Sequence, residues 1–120
     1  MKAYRLFTTA DGHSAFEEGK ITTLQHIAAD YFFIQEDEAS RLAFDWHPAP
    51  RRQVVITLRG TLEFTVTDGS TFLLNPGDIL VAADTSGSGH KWRRISEESW
   101  VRAYVALEDG KDDGFVVNGK

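Results

Sequence analysis

Two stretches of this 120-residue chain hold the residue types that can do chemistry. The first is DWHPAPRRQVVITLRG, residues 45 to 60, with His47 near its start and Gln53 six positions later. The second is PGDILVAADTSGSGH, residues 76 to 90, which ends on His90. Imidazole has an unperturbed pKa close to neutral, so it can give or take a proton at working pH. His47 and His90 are therefore the candidate catalytic residues. Ser86 and Ser88 lie near His90, but nothing around them marks an activated nucleophile. The GSG at 87 to 89 lacks the Lys and Ser/Thr of a phosphate-binding loop.

Cations cluster beside both histidines. Arg51 and Arg52 lie between His47 and Gln53, while Lys91, Arg93 and Arg94 follow His90 with Trp92 among them. Guanidinium groups bind carboxylate or phosphate in a two-pronged fashion. Arg51, Arg52 and Trp92 are thus candidate binding residues for a small, anionic molecule. The competing reading pairs these cations with Asp45, Asp78 and Asp84, or leaves them on the surface.

The totals narrow the function classes. No cysteine is present, so disulfides and thiolate metal sites are excluded. The net charge of -5 argues against wrapping nucleic acid. No apolar run approaches the roughly 18 residues of a membrane span, and MKAYRLFTTADGH lacks a signal-peptide core. The expectation is a cytoplasmic protein with a small-molecule ligand and no nucleic-acid or membrane partner. Eight Phe, three Tyr, three Trp and ten Gly suit a β-rich domain.

These residues must be positioned by strands. Alternation predicts strands at 3–8, 30–35, 40–47, 53–59, 61–66, 71–74, 79–83, 90–96 and 100–107. In SAFEEGKI, Glu17 and Glu18 read as solvated and Gly19 as a break. Leu42, Phe44 and Trp46 should share one face, opposite Arg41, Ala43, Asp45 and His47. On the next strand Gln53, Val55 and Thr57 oppose Val54, Ile56 and Leu58. Both faces are largely apolar, which predicts a central, covered strand. Asp68-Gly69 and Asn75-Pro76-Gly77-Asp78 are turn signals. The strands at 90–96 and 100–107 should form a last hairpin turning at EES. The tail EDGKDDGFVVNGK is polar, either loosely ordered or docking FVV as an edge strand. Short strands with a turn about every ten residues predict an all-β fold, a single antiparallel β-barrel or jelly roll. No internal repeat or linker is visible, so residues 1–120 read as one domain, with its core at about 40–107 and a tail at 108–120.

The region from about 41 to 95 resembles the cupin superfamily of small jelly-roll barrels. The first motif of that superfamily, G-x5-H-x-H-x3,4-E-x6-G, places its first histidine at His47, its glutamate at Gln53 and its closing glycine at Gly60. The second, G-x5-P-x-G-x2-H-x3-N, places its histidine at His90. The motif's second histidine is Ala49 here, its opening glycine Arg41, its second-motif proline Thr85 and its closing asparagine Arg94. The resemblance implies a metal set of His47, Gln53 and His90 holding a divalent transition metal, Fe, Mn, Ni or Zn. With alanine and an amide at two ligand positions, that metal would be weakly held, unless Asp45 or His13 completes the set. His26 reads as a packed or surface residue.

Three functions follow as expectations. One is a module binding a small molecule in the barrel interior. Another is a metal-dependent enzyme of the dioxygenase or isomerase type. The third is a metal-free histidine acid/base enzyme acting on a sugar-like substrate. The resemblance also implies a homodimer, and Leu42, Phe44, Trp46, Val54, Ile56 and Leu58 are the apolar set a partner would cover.

Overall fold

The computed structural model describes residues 2–37 and 45–119, the Asp37 side chain apart. Ten strands run in order: β1 (Lys2–Thr8), β2 (Ser14–Ile21), β3 (Ala29–Asp37), β4 (Gln53–Arg59), β5 (Leu62–Thr65), β6 (Thr71–Leu74), β7 (Ile79–Ala83), β8 (Lys91–Arg94), β9 (Trp100–Leu107) and β10 (Phe115–Val117). They build a seven-stranded sheet, β10-β2-β1-β7-β4-β9-β3, and a three-stranded sheet, β6-β5-β8. The result is all-β, made as two facing sheets rather than a closed barrel. Pairing is antiparallel except between β1 and β7, which run parallel with Ala3 opposite Ile79.

The period-2 pattern sets the core. On β4 the residues Gln53, Val55 and Thr57 are buried, while Val54 and Ile56 are half-buried and Leu58 is exposed. On β5 and just after it Leu62, Phe64 and Val66 turn inward. Phe64 stacks on Phe72 at 5.2 Å and meets Trp100 edge-on at 6.0 Å. Such aromatic pairs contribute about 0.5–1.5 kcal/mol each beyond simple burial. β4 is central, between β7 and β9. The turn at Asn75–Asp78 forms as its residues dictate, with Asp78 N–H donating to the Asn75 carbonyl at 2.9 Å.

Several sequence expectations need correction. SAFEEGKI is a full strand, paired with β1 on one side and β10 on the other. Gly19 does not break it. A Cβ there would lie 2.0 Å from the Val116 carbonyl oxygen, so glycine is what lets β10 approach. FVV docks as an edge strand, with its Phe115 and the preceding Asp113 buried. The core also takes in Tyr4 and Leu6, well before residue 40. Residues 90–96 and 100–107 form no hairpin: β8 pairs with β5, whereas β9 pairs with β3 and β4 in the other sheet. The two strands instead face each other across the sandwich, where Trp92 and Trp100 meet edge-on at 4.8 Å.

The strand expected at 40–47 falls mostly outside the described residues, Arg41, Leu42, Ala43 and Phe44 included. Its end is described. His47 makes an isolated bridge with His90, and Trp46 sits against Lys91 of the smaller sheet at 4.8 Å. Trp46 therefore does not share a patch with Val54, Ile56 and Leu58 of the larger sheet.

Candidate functional site

The two histidines are joined through their backbones. His47 N–H donates to the His90 carbonyl and His90 N–H to the His47 carbonyl, both at 2.9 Å. Gly89 permits this contact. It takes φ +75, and a Cβ on it would lie 2.0 Å from the His47 carbonyl carbon. The imidazoles consequently meet with ring centroids 4.8 Å apart.

Both rings face a cavity of about 220 Å³ between the sheets. Gln53 lines it from β4, and Trp92, Trp100 and Tyr104 line it from β8 and β9. Gln53 is buried. His47, Gln53 and His90 thus line one cavity, with Ala49 beside them on the wall.

Each imidazole is oriented from behind. His47 Nδ1 lies 2.9 Å from the Asp45 carbonyl oxygen, which can only accept, so Nδ1 carries the hydrogen. His90 Nδ1 lies 2.6 Å from Asp84 Oδ2. Asp84 is fully buried and takes a second bond on the same oxygen from the Ser14 hydroxyl at 2.7 Å. Its other oxygen, Oδ1, has no partner among the described residues. Nε2 of each ring is left with its lone pair, the arrangement a general base needs.

The aromatic wall is braced by Arg102. This buried guanidinium stacks on Trp100 at 3.9 Å, donates from Nε to the Tyr104 hydroxyl at 3.0 Å and from Nη1 to the Trp100 carbonyl at 3.1 Å. The Trp100 indole N–H donates to Thr57 at 3.3 Å, so no polar atom of the ring is stranded.

The other expected site residues lie elsewhere. Trp92 lines the cavity, but Arg51 and Arg52 do not. Arg51 donates to Asp30 and to the Leu107 carbonyl, each at 2.7 Å, and lies over the Tyr31 ring. The Asp30 carboxylate pushes its pKa above the ordinary value. Arg52 donates to the Lys111 carbonyl and lines a different groove. Arg93 pairs with Glu63 at 2.8 Å. Among the described residues the cavity lining contains no Lys, Arg, Asp or Glu. His13 and His26 are exposed, and neither His13 nor Asp45 lines the cavity.

Among the described residues the cavity offers two imidazoles and one neutral amide as donors. Resident transition-metal sites use three or four donors, commonly with an anionic ligand to offset the metal's charge. No cluster of three His, Cys, Asp or Glu able to hold a metal occurs among the described residues. The Asp84 carboxylate is held on Nδ1 of His90.

Asp84, Ser14 and Arg102 were not singled out as site residues from the sequence. Asp84 stands six positions before His90, a visible but uninformative spacing. Ser14 is 70 residues from Asp84, and no local pattern links them.

No family model matches the chain, and no curated protein matches it in sequence. Among solved structures it is similar to an ethanolamine utilization protein Q from Salmonella typhimurium LT2. The identity is 14%, the TM-score 0.44, and the match covers 89% of this chain and 95% of that one.

Proposed function

We propose that the cavity binds a small, uncharged, polar molecule and that His90, backed by Asp84, moves a proton on it without a metal. The observation that carries this reading is the buried Asp84–His90 pair at 2.6 Å, with His90 at the cavity wall. A carboxylate behind an imidazole fixes the tautomer and stabilises the imidazolium formed when Nε2 accepts a proton. His47 stands opposite as the second acid/base group. Gln53 offers one donor and one acceptor to a ligand's polar edge, and Trp92, Trp100 and Tyr104 supply flat apolar walls.

The ligand is small because the cavity, at about 220 Å³, lies below the roughly 300–1,000 Å³ of drug-sized sites. It is uncharged because the described lining supplies no cation to an anion, and Arg51 and Arg52 are engaged outside it. The discriminating experiment is a thermal-shift screen of small neutral cyclic amides, polyols and lactones against small carboxylates and phosphates. Binding of the neutral set, lost in His90→Gln with the fold intact, is the expected result. Preferential binding of the charged set would overturn it. Conversion of a bound compound, rather than binding alone, separates an enzyme from a binding module.

We also propose that a second copy of the chain covers the outer face of the larger sheet. Phe32, Ile34 and Leu58 on β3 and β4 are 70%, 55% and 54% exposed, and Val101, Ala103 and Val105 of β9 lie between those strands. An apolar surface of this kind on one face of a sheet is a site for association.

A further inference from the structure

Three aromatic rings run in a row out of the histidine cavity. Tyr104 lines the cavity from β9 and Phe33 lines it from β3. They stand opposite each other in the β3–β9 register, with ring centroids 4.9 Å apart and 23° between their planes. Tyr31, two residues before Phe33 on the same face of the strand, continues the row at 6.3 Å and 29°. The Arg51 guanidinium lies 5.3 Å from the centre of the Tyr31 ring, where Asp30 and the Leu107 carbonyl hold it. Burial falls along the row. Phe33 is 42% exposed although it lines the cavity, which puts it at the mouth, and Tyr31 is 51% exposed.

Packing does not account for these two rings. They contribute half-covered surface to the sandwich, and β3 would pair with β9 through its backbone whichever side chains stood there. Alternation also points them away from Phe32 and Ile34, so a second copy seated on the outer face of the larger sheet leaves them uncovered. An apolar strip that is open to solvent and continuous with the wall of a ligand cavity belongs to the binding surface. We propose that Phe33 and Tyr31 form a second subsite, and that the ligand is a small neutral polar head carrying an aryl or other planar apolar arm that lies along them. This rests on the reading of the cavity as a ligand site. With about 220 Å³ the cavity holds the head alone, so the arm must leave by the mouth, and the row is the apolar surface it meets there. The arm carries no charge, because the cation beside Tyr31 is already paired with Asp30 at 2.7 Å.

Three probes test the subsite by NMR titration of 15N-labelled protein: γ-butyrolactam as the head, phenethyl alcohol as the arm, and the lactam carrying a phenethyl arm. The armed lactam should bind about tenfold tighter than the bare one, in line with burying one ring against apolar surface, and should shift the Tyr31 and Phe33 amides. Tyr31→Ala should cancel that gain while leaving the affinity for the bare lactam unchanged, and Tyr31→Phe should keep it. Should the alanine variant unfold, Tyr31→Thr, a good strand former, takes its place. Equal affinity of the two lactams, or a gain that survives Tyr31→Ala, would overturn the subsite. So would Tyr31 and Phe33 amides that move when the free protein is diluted, since a second copy would then occupy the row. Failure of the cavity reading looks different: the bare lactam would shift no amide around His90, while phenethyl alcohol still shifted Tyr31 and Phe33 in the unaltered protein and not in Tyr31→Ala.

Discussion

Asp84 Oδ2 lies 2.6 Å from His90 Nδ1, with the carboxylate wholly buried. Its Oδ2 is thus shared between the imidazole and the Ser14 hydroxyl. Asp84→Asn should keep the shape and remove the charge. The expected cost in stability is about 1–3 kcal/mol, measured by denaturant unfolding, because the replacement leaves a buried amide group without a partner. The 15N shifts of His90 should move towards a mixed tautomer, while those of His47 stay put. Proton transfer to any converted substrate should fall by about 10²–10⁴.

Gly89 decides whether the two histidines can meet. Gly89→Ala would place a methyl 2.0 Å from the His47 carbonyl carbon and force φ +75 on a residue with a Cβ. Backbone strain of this kind costs about 1–3 kcal/mol, and the clash adds to it. The check is the unfolding midpoint together with the distance between the His47 and His90 ring protons by NMR. An unshifted midpoint would mean that the bridge can relax.

Metal loading tests the donor set. Incubation with Fe(II), Mn(II), Ni(II) or Zn(II), followed by desalting and elemental analysis, should leave well under one ion per chain. Gln53→Glu should raise retention by supplying the missing charge next to two imidazoles. Stoichiometric retention by the unaltered protein would show that two imidazoles and an amide suffice.

The outer sheet face tests association. Light scattering at micromolar concentration should return twice the chain mass. Leu58→Lys or Phe32→Lys should shift it to one chain without loss of the β-sheet circular dichroism signal, because both side chains are already exposed. A monomer in the unaltered protein would leave the face without a partner copy.

Asp112 gives a pH-dependent contact between the β2–β3 loop and the C-terminal segment. The Gln25 amide donates to its Oδ2 at 2.7 Å and Gly114 N–H to its Oδ1 at 3.2 Å. These bonds hold its pKa below the ordinary 3.8, the Gln25 bond most strongly. A lowered carboxyl contributes stability above its unfolded pKa and loses it as pH falls through the folded one. A carboxyl-carbon NMR titration should show the low midpoint, and Gln25→Ala should raise it.

Local alternation was enough to place β4, β5, β6 and β7, because a strand with one buried face repeats every two residues whatever its partners are. The turns at Asp68-Gly69 and Asn75–Asp78 were legible for the same local reason. The convergence of His47, Gln53 and His90 was legible only through the resemblance, whose motif compresses a three-dimensional contact into spacing.

The rest was decided by closure of the two sheets. β8 and β9 look like one hairpin in sequence, yet each buries an inward residue against the opposite sheet, so they part company. Gly19 looks like a break until β10 is seen packed on its backbone. Arg51 and Arg52 sit between two site residues in sequence, but their long side chains reach Asp30 and two backbone carbonyls outside the cavity. Ser14 and Asp84 have no sequence relationship at all. They meet because β1 runs parallel to β7, which carries the β1–β2 turn to the loop after β7 and so to the back of His90. Residue type and alternation thus fixed which groups could do chemistry, while long-range strand pairing chose which of them share a charge.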